Sequence, residues 1–498
     1  MPKLAILAPC SNAALLNRKR IDCSRLARSD TTLQVIGIPG AEGAEDSFFA
    51  ATQSIPHMLE IVRQLQAGGV DAIVLDSLRN PGLSACRQIS RIPVIGSGQA
   101  AIYLAFLLAD SFSVITRSEG LAAAVRCRLQ EAAFRAKTAS IRSINSPLTV
   151  DTLEAYTATA LEAARRAVLE DGAHALIIDG GGLNQITAQI QKTLQQEHPY
   201  LPVIDPTLAA LKWAEIIADL GLTHSKRSFP FPPATETVGY HFEDALLLED
   251  VQGTFDLEAA LRVIVPSSEP SAEDPSAVTY GNASLPQVHV DAVGLARGPY
   301  SIESEVDDAL ASPEICRHAF EAEQAGKHAI LIDCMADPGL RAAREVLSIP
   351  ILGGGHTTMA LACLLADQFS IITVLHQSLP EIERQIARYG LGDRATPVRA
   401  VEIHVLELDA QHERLLTEFG QEVVGAIEED GAHFIIPGCT GMIGIYEKMQ
   451  ERAHAYGVPV LDQNAAMVKI TEMLLSLKLS HSKVSFPFPQ GLDLITRR

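Results

Sequence analysis

The stretch Ile330-Leu-Ile-Asp-Cys334-Met-Ala-Asp-Pro-Gly339 decides the fold. It opens within the apolar run 329–332, which predicts a short strand buried on both faces of a parallel sheet. Asp337-Pro338 predicts a helix start, with the aspartate as N-cap and the proline at the first helical position. Cys334 is therefore predicted to lie between a strand end and a helix N-terminus. Open α/β sheets bind their ligands there, and a helix N-terminus favours the thiolate over the thiol.

A second stretch of the same kind lies downstream, Gly431-Ala-His-Phe-Ile-Ile-Pro-Gly-Cys439-Thr-Gly-Met442. It predicts a buried strand that ends at Cys439, followed by a helix over 443–452. Because the two cysteines follow similar strands, we expect them to face each other across a cleft between two similar lobes.

The length, charge and composition of the chain limit the classes of protein it can be. A chain of 498 residues is too long for one hydrophobic core, so two or more domains are expected. The net charge of −20 argues against nucleic acid and anionic membrane surfaces as partners. No apolar run reaches the ~20 residues of a membrane span. The expected partner is a small-molecule substrate, and a homo-oligomer remains open.

The eight cysteines show no C-x-x-C pair and no cluster with histidine. This spacing predicts neither a metal site nor a disulfide framework, and it favours a reducing cytoplasm. The apolar run near Met1 is too short for a signal segment and predicts a first β-strand instead.

The chain repeats itself at a constant offset of 257 residues. Pro81-Gly-Leu-Ser-Ala-Cys-Arg87 matches Pro338-Gly-Leu-Arg-Ala-Ala-Arg344, and His224-Ser-Lys-Arg-Ser-Phe-Pro-Phe-Pro232 matches His481-Ser-Lys-Val-Ser-Phe-Pro-Phe-Pro489. Near-identical blocks at one offset indicate a tandem duplication. The predicted divisions are a first domain over 1–236, a linker over 237–260 and a second domain over 261–498. The Ser- and Pro-rich stretch 267–286 is predicted to be a loop.

Each copy carries a weaker internal repeat. Gly69-Val-Asp-Ala-Ile-Val-Leu-Asp-Ser77 resembles Gly172-Ala-His-Ala-Leu-Ile-Ile-Asp-Gly180. The predicted fold class is therefore α/β, with each copy made of two pseudo-symmetric lobes, mostly parallel sheets and a cleft between them. In the first copy, Ser77 stands opposite Cys334 and Gly180 opposite Cys439. We expect this copy to be catalytically empty and the whole chain to be a pseudodimer.

Several motifs together resemble the Asp/Glu/hydantoin racemase superfamily, and most closely its hydantoin and allantoin racemase branch. They are the Asp-Pro-Gly-Leu shortly after Cys334, Ile349-Pro-Ile-Leu-Gly-Gly-Gly355, Pro437-Gly-Cys-Thr-Gly-Met442 and the closing Ser482-Lys483. The resemblance covers both copies and so nearly the whole chain.

The resemblance implies racemisation at a carbon next to a carbonyl, without a cofactor or a metal. One cysteine thiolate removes the α-proton and the other thiol delivers a proton to the opposite face. Cys334 and Cys439 are the implied catalytic pair for a 5-substituted hydantoin or a related cyclic ureide. Amides of 353–355 and 440–441 are expected to stabilise the carbanion. The expected substrate-binding residues are Ser267, Asp333, Gly354, Gly355, His356, Thr357, Thr373, Thr440 and Gly441.

Two departures leave the substrate open. The chain has Gly355-His-Thr-Thr358 where hydantoin racemases usually carry Gly-Glu-Ala-Ala, and Val265-Pro-Ser-Ser268 where they carry Asn-Pro-Asn. For His356, substrate contact and helix capping are both open. The alternatives are another reaction of the superfamily or a ligand-binding protein without chemistry. Amino-acid racemisation, maleate-type isomerisation and decarboxylation would each require a carboxylate-binding pocket.

Overall fold

A computed structural model describes residues 1–10, 12–41, 43–44, 47–131, 134–146, 148, 152–181, 183–233, 245–268 and 275–489. The chain divides into two compact units. The first comprises Met1–His224, Phe229–Asp256 and Ser482–Ser485, and the second comprises Ser225–Ser228, Leu257–His481 and Phe486–Arg498.

The first unit alternates strands and helices along most of its length, which is the pattern of parallel α/β sheets. Its elements are β1 (Lys3–Ala8), α1 (Ala13–Ser24), β2 (Thr32–Gly37), α2 (Phe48–Ala67), β3 (Ala72–Leu75), α3 (Leu83–Ile89), β4 (Val94–Gly96), α4 (Ser97–Leu108), β5 (Phe112–Thr116), α5 (Glu119–Glu131), β6 (Thr138–Ser143), α6 (Leu153–Leu169), β7 (Leu176–Ile178), α7 (Asn184–Glu197), β8 (Val203–Ile204), α8 (Pro206–Asp219), β9 (Leu246–Leu247) and β10 (Val251–Gln252).

The second unit repeats this alternation. Its elements are β11 (Ala259–Val265), α9 (Pro275–Ala283), β12 (Val288–Gly294), α10 (Glu305–Gln324), β13 (Ala329–Ile332), α11 (Leu340–Val346), β14 (Ile351–Gly353), α12 (Gly354–Leu365), β15 (Ser370–Thr373), α13 (Leu379–Tyr389), β16 (Arg399–Ala400), α14 (His412–Glu428), β17 (Ile435–Pro437), α15 (Tyr446–His454) and α16 (Gln463–Ser476).

Within the described residues each unit holds two sheets, as the internal repeat predicted. In the first unit the strand orders are β10-β2-β1-β3-β4, with β9 also beside β2, and β6-β5-β7-β8. In the second unit they are β12-β11-β13-β14 and β16-β15-β17. The described pairings are parallel, except that β9 and β10 run antiparallel to β2. The predicted α/β class with mostly parallel sheets is confirmed.

The strands that carry the site are short and buried on both faces. β13 spans the predicted residues, and its four side chains are all inaccessible to solvent. Its neighbour α12 is buried along its whole length, as an apolar helix at the centre of an α/β layer must be. Each of the four sheets has its own cluster of buried apolar side chains, which gives every lobe a separate core.

The predicted helix start at Asp337-Pro338 is wrong. Helix α11 begins at Leu340, and Gly339 precedes it at φ 65° without a side-chain cap. Asp337 itself has φ 58°, in the left-handed region that only a few non-glycine residues adopt. Its carboxylate does not cap α11 and instead accepts hydrogen bonds from residues of α12 and α13.

The predicted loop over 267–286 is also wrong in part, because α9 forms within it at Pro275–Ala283. Tyr280 is fully buried and anchors the helix, a tertiary contact that outweighs the Ser- and Pro-rich composition. Residues 269–274 lie outside the described part. The same holds for 237–244 of the predicted linker, whose later residues carry β9, β10 and the start of β11.

The first residues form β1, which confirms the predicted first strand. Strand β2 lies beside it in parallel register, with Lys3 opposite Thr32 and Ala8 opposite Gly37. In the part of the chain that the structure describes, no helix combines the length and the apolar character that crossing a membrane would take.

Candidate active site

A cavity of about 440 Å³ lies within the second unit, at the carboxyl ends of its strands. Cys334 follows β13 in one lobe, Cys439 follows β17 in the other, and both line the cavity. The strand periodicity predicted this meeting of the two cysteines. All eight cysteines, each within the described residues, are free thiols. No cluster of His, Cys, Asp or Glu suited to a metal ion occurs among the described residues.

The structure places five of the nine expected substrate-binding residues around the two thiols, but not the four at the glycine turn, residues 354–357. Five of the expected substrate-binding residues line the cavity, namely Ser267, Asp333, Thr373, Thr440 and Gly441. Four others are absent from the lining, namely Gly354, Gly355, His356 and Thr357.

The backbone amides of the glycine turn are hydrogen-bonded to other groups of the protein. The Asp337 carboxylate accepts hydrogen bonds from the amides of Gly355 at 2.9 Å and His356 at 2.7 Å. The amide of Gly354 donates to the carbonyl of Cys334 at 3.2 Å. The expectation that these backbone amides stabilise a substrate carbanion is therefore wrong for Gly354 and Gly355. Their role is to fix the start of α12 against the loop that carries Cys334.

His356 is buried against this same support. Its ring lies 4.5 Å from the ring of Tyr389, centroid to centroid, and its Nδ1 lies 3.3 Å from a guanidinium nitrogen of Arg344. The Tyr389 hydroxyl in turn donates to Asp337. These contacts give His356 a packing role in the protein, and its side chain does not reach the cavity wall.

Burial dominates the electrostatics of the two thiols. It raises the pKa of Cys439 to about 12, and the amides of Gly441 and Met442 lower it only partly. Burial likewise raises the pKa of Cys334 well above its usual value, although the Ala336 amide lowers it. The expectation that the helix N-terminus favours the Cys334 thiolate is wrong, because desolvation of the anion outweighs the nearby amide.

The Asp333 carboxylate contributes to the raised pKa values of both thiols. Its carboxylate accepts hydrogen bonds from Ser276 Oγ at 2.8 Å and Tyr280 Oη at 2.7 Å. Its carbonyl accepts one from Thr440 Oγ1 at 3.1 Å, which links the two lobes' loops. Sequence reasoning missed Ser276 and Tyr280, since both lie in the stretch predicted to be a loop.

Two side chains of helix α16 hold the loop after β17 through hydrogen bonds. The side-chain amide of Gln463 donates to the carbonyl of Cys439, and that of Asn464 donates to the carbonyl of Thr440, each at 3.1 Å. The hydroxyl of Thr440 is engaged by Asp333. Among the described residues, the lining hydroxyls that have no hydrogen-bond partner are those of Ser267, Tyr300, Ser301 and Thr373.

The charged side chains that line the cavity are all acidic. Four carboxylates contribute to it, and Lys, Arg and His are absent from the lining residues within the described chain. The carboxylates belong to Glu303, Asp333, Glu381 and Asp409. Partial burial and the nearby carboxylates of Asp308 and Glu305 raise the pKa of Glu381. Such a wall favours neutral or cationic molecules and opposes anionic ones.

Known proteins of similar sequence agree with these observations. The sequence profile described as Asp/Glu/hydantoin racemase matches residues 4–214 and again 277–471. This chain belongs to that family. Two successive matches to one family are expected for a tandem duplication. Membership of this family makes the protein an isomerase of the racemase type.

Two relatives illustrate the similarity. The hydantoin racemase of Rhizobium meliloti is 36% identical over 203 residues, which are 41% of this chain and 83% of that protein. The hydantoin racemase of Pseudomonas sp. (strain NS671) is 33% identical over 215 residues, 43% of this chain and 85% of that protein. Among solved structures, allantoin racemase from Klebsiella pneumoniae is 28% identical with a TM-score of 0.43, covering 47% of this chain and 96% of its own.

Proposed function

We propose that the second unit racemises a 5-substituted hydantoin or a related cyclic ureide, with Cys334 and Cys439 as the two acid/base groups. The observation that carries this proposal is that two thiols from two lobes line one cavity. One group on one face would only return the proton to the face it came from. A second acid on the opposite face is therefore needed for inversion.

The proposed reaction balances without a redox step. One cysteine, as thiolate, takes the hydrogen at carbon 5 as a proton, and the electron pair of the broken C–H bond spreads onto the ring carbonyls. The other cysteine, as thiol, gives a proton to the opposite face of the same carbon. The two sulfurs thereby exchange protonation states, and reaction in the reverse direction restores them. The uncommitted hydroxyls of Ser267 and Thr373 are candidates to donate to the ring carbonyls as negative charge develops there.

Burial raises the pKa of both thiols, so the proposal requires that the bound substrate favour the thiolate. A bound ring brings carbonyl and N–H dipoles into a space from which water is excluded. Asp333, held by two neutral hydroxyls, lies close enough to both thiols to raise their pKa values. Once one cysteine is ionised, its charge opposes ionisation of the other, as the effect of Cys439 on the pKa of Cys334 shows, so one thiol stays protonated while the other acts as base.

The charge of the cavity supports a neutral ring over the carboxylate substrates of the alternative reactions. Amino acids, maleate and malonates each carry at least one carboxylate that needs a cationic or strongly donating partner. The lining offers carboxylates at Glu303, Glu381 and Asp409 instead. Glu303 is paired with His404 at 2.9 Å, a residue outside the lining.

A solvent-exchange panel tests this proposal. The purified full chain is incubated in deuterium oxide with single enantiomers of 5-substituted hydantoins, allantoin, alanine and glutamate, and exchange and inversion are followed by NMR and chiral chromatography. We expect exchange and inversion with one or more cyclic ureides and none with the amino acids. Exposed Cys127→Ser is the control, because this thiol lies outside the cavity. Exchange of the amino acids alone would overturn the substrate class.

A further inference from the structure

The first unit has a cavity of its own that the proposed reaction does not use. A cavity of about 470 Å³ lies between residues of its two sheets and is as large as the cavity with the thiols. Ser77 and Gly180 line it at the positions of Cys334 and Cys439, so no thiol pair is present there. A copy that had lost all function would tend to fill such a space with larger apolar side chains, because close packing stabilises a core.

The charges in this cavity are balanced within pairs. Lys19 donates to Asp76, and Arg117 makes two 2.7 Å hydrogen bonds to Asp179. At the positions of Arg117 and Asp179 the second copy has Val374 and Gly438, so this pair is particular to the first copy. Burial raises the pKa of Asp179, but Arg117 lowers it further, and the net shift is downward. The carboxylate therefore remains charged and paired.

Two buried hydroxyls point to what the cavity recognises. Ser77 is 6% exposed, and its Oγ accepts a bond from the amide of Asn80 at 3.2 Å, which leaves its hydrogen uncommitted among the described residues. Ser97 is 1% exposed and has no side-chain hydrogen bond to any described residue. At the position of Ser97 the second copy has Gly354, so this donor too is particular to the first copy. A buried donor without an acceptor destabilises the fold unless a ligand or water satisfies it.

We propose that this cavity is a second, non-catalytic binding site for a small uncharged molecule that accepts hydrogen bonds through carbonyl oxygens, an amide or cyclic ureide. Ser77 and Ser97 donate to its oxygens, and the pairs Lys19–Asp76 and Arg117–Asp179 stay intact. An ion would add an uncompensated charge to a buried space whose charges are already paired, at a large desolvation cost. The proposal does not depend on the activity of the second unit.

Hydrogen–deuterium exchange of the full chain with unsubstituted hydantoin as the probe tests this proposal. The probe has no stereocentre, so racemisation cannot alter it. We expect saturating hydantoin to slow exchange in peptides that contain residues 76–80 and 97–100. In Ser77→Ala/Ser97→Ala, the hydantoin concentration for half-protection should rise roughly tenfold or more, as expected for two lost hydrogen bonds. Circular dichroism checks that the variant is folded.

The control variant is Ser54→Ala, which removes a buried hydroxyl of the same unit that already donates to the carbonyl of Ala51. Its half-protection concentration should match that of the unmodified chain. Sodium acetate serves as the anionic probe and should not protect these peptides. Absence of hydantoin protection there, protection unchanged in the double variant, or equal protection by acetate would each overturn the proposal. A chain without racemase activity would leave this result unaffected.

Discussion

The hydroxyl of Tyr280 donates a 2.7 Å hydrogen bond to the carboxylate of Asp333, the residue directly before Cys334. Tyr280 is fully buried, and Asp333 raises its pKa further above the level set by burial. The tyrosine therefore stays a neutral donor, and helix α9 fixes the carboxylate that neighbours both thiols. We infer that Tyr280 is a positioning residue, acting on the cysteines through Asp333.

Tyr280→Phe should lower kcat/KM by about 10- to 100-fold, the usual effect of deleting a hydrogen bond to a charged group. The less compensated Asp333 should raise the thiol pKa values further, so the activity profile should also move to higher pH. A pH series of kcat/KM measures both effects. The control is Tyr456→Phe, which deletes a tyrosine–carboxylate bond to Glu428 outside the cavity. Loss of activity without a change in the pH profile would leave Tyr280 with a structural role only.

Asp337 makes the stability of the second unit dependent on pH. Burial raises its pKa from 3.8 to about 6, against the opposing effects of Tyr389 and the Gly355 and His356 amides. The folded protein thus binds this proton more tightly than the unfolded chain does. The resulting stability is fully present below about pH 4 and is lost as pH rises through 6.

Asp337→Asn should remove this dependence while keeping the turn. The first copy carries Asn80 at this position, and its side-chain oxygen accepts from the Gly98 amide at 3.2 Å. Between pH 7.5 and pH 4, the unfolding free energy of the unmodified chain should rise by about 2 kcal/mol relative to that of the variant. Urea denaturation at both pH values measures it, with exposed Asp393→Asn as the control. A relative fall toward pH 4 would contradict the raised pKa.

The elements around the site differ in how far the sequence predicts them. Local apolar runs predict β13 and the strand that ends before Cys439, because burial of a short strand depends on neighbouring residues alone. The sequence did not predict helix α9, because a single buried side chain, Tyr280, stabilises it within a Ser- and Pro-rich stretch. The two backbone amides that donate to Asp337 are 18 and 19 residues away on another helix, and no local pattern shows them.

The acidic wall of the cavity could not be predicted from the sequence either. Glu303, Glu381 and Asp409 come from three separate segments, and only the folded chain brings them to one surface. Sequence patterns predicted the two thiols that line the cavity, whereas the charge of its wall depends on tertiary structure. The same applies to the Arg117–Asp179 pair of the first cavity.

Glu381→Gln should relax the exclusion of anionic substrates. Removing one carboxylate near the bound molecule should raise kcat/KM for a hydantoin with a carboxylate-bearing substituent about fivefold, the effect of ~1 kcal/mol of repulsion. Values for an uncharged hydantoin should change little. Steady-state racemisation by polarimetry gives both numbers. Glu383→Gln, an exposed carboxylate on the same helix and outside the lining, is the matched control. Equal gains in both variants would point to overall charge rather than the cavity wall.

We propose that Cys334 and Cys439 act on opposite faces of one carbon. Cys→Ser at either position replaces the thiol with a hydroxyl that does not readily form the anion, so racemisation should fall by at least ~10²–10⁴-fold. The remaining thiolate should still exchange the α-hydrogen of one enantiomer without inverting it. Each variant is incubated with each pure enantiomer in deuterium oxide and followed by NMR. We predict that Cys334→Ser and Cys439→Ser exchange opposite enantiomers; the same preference in both, or full racemisation in either, would contradict the claim.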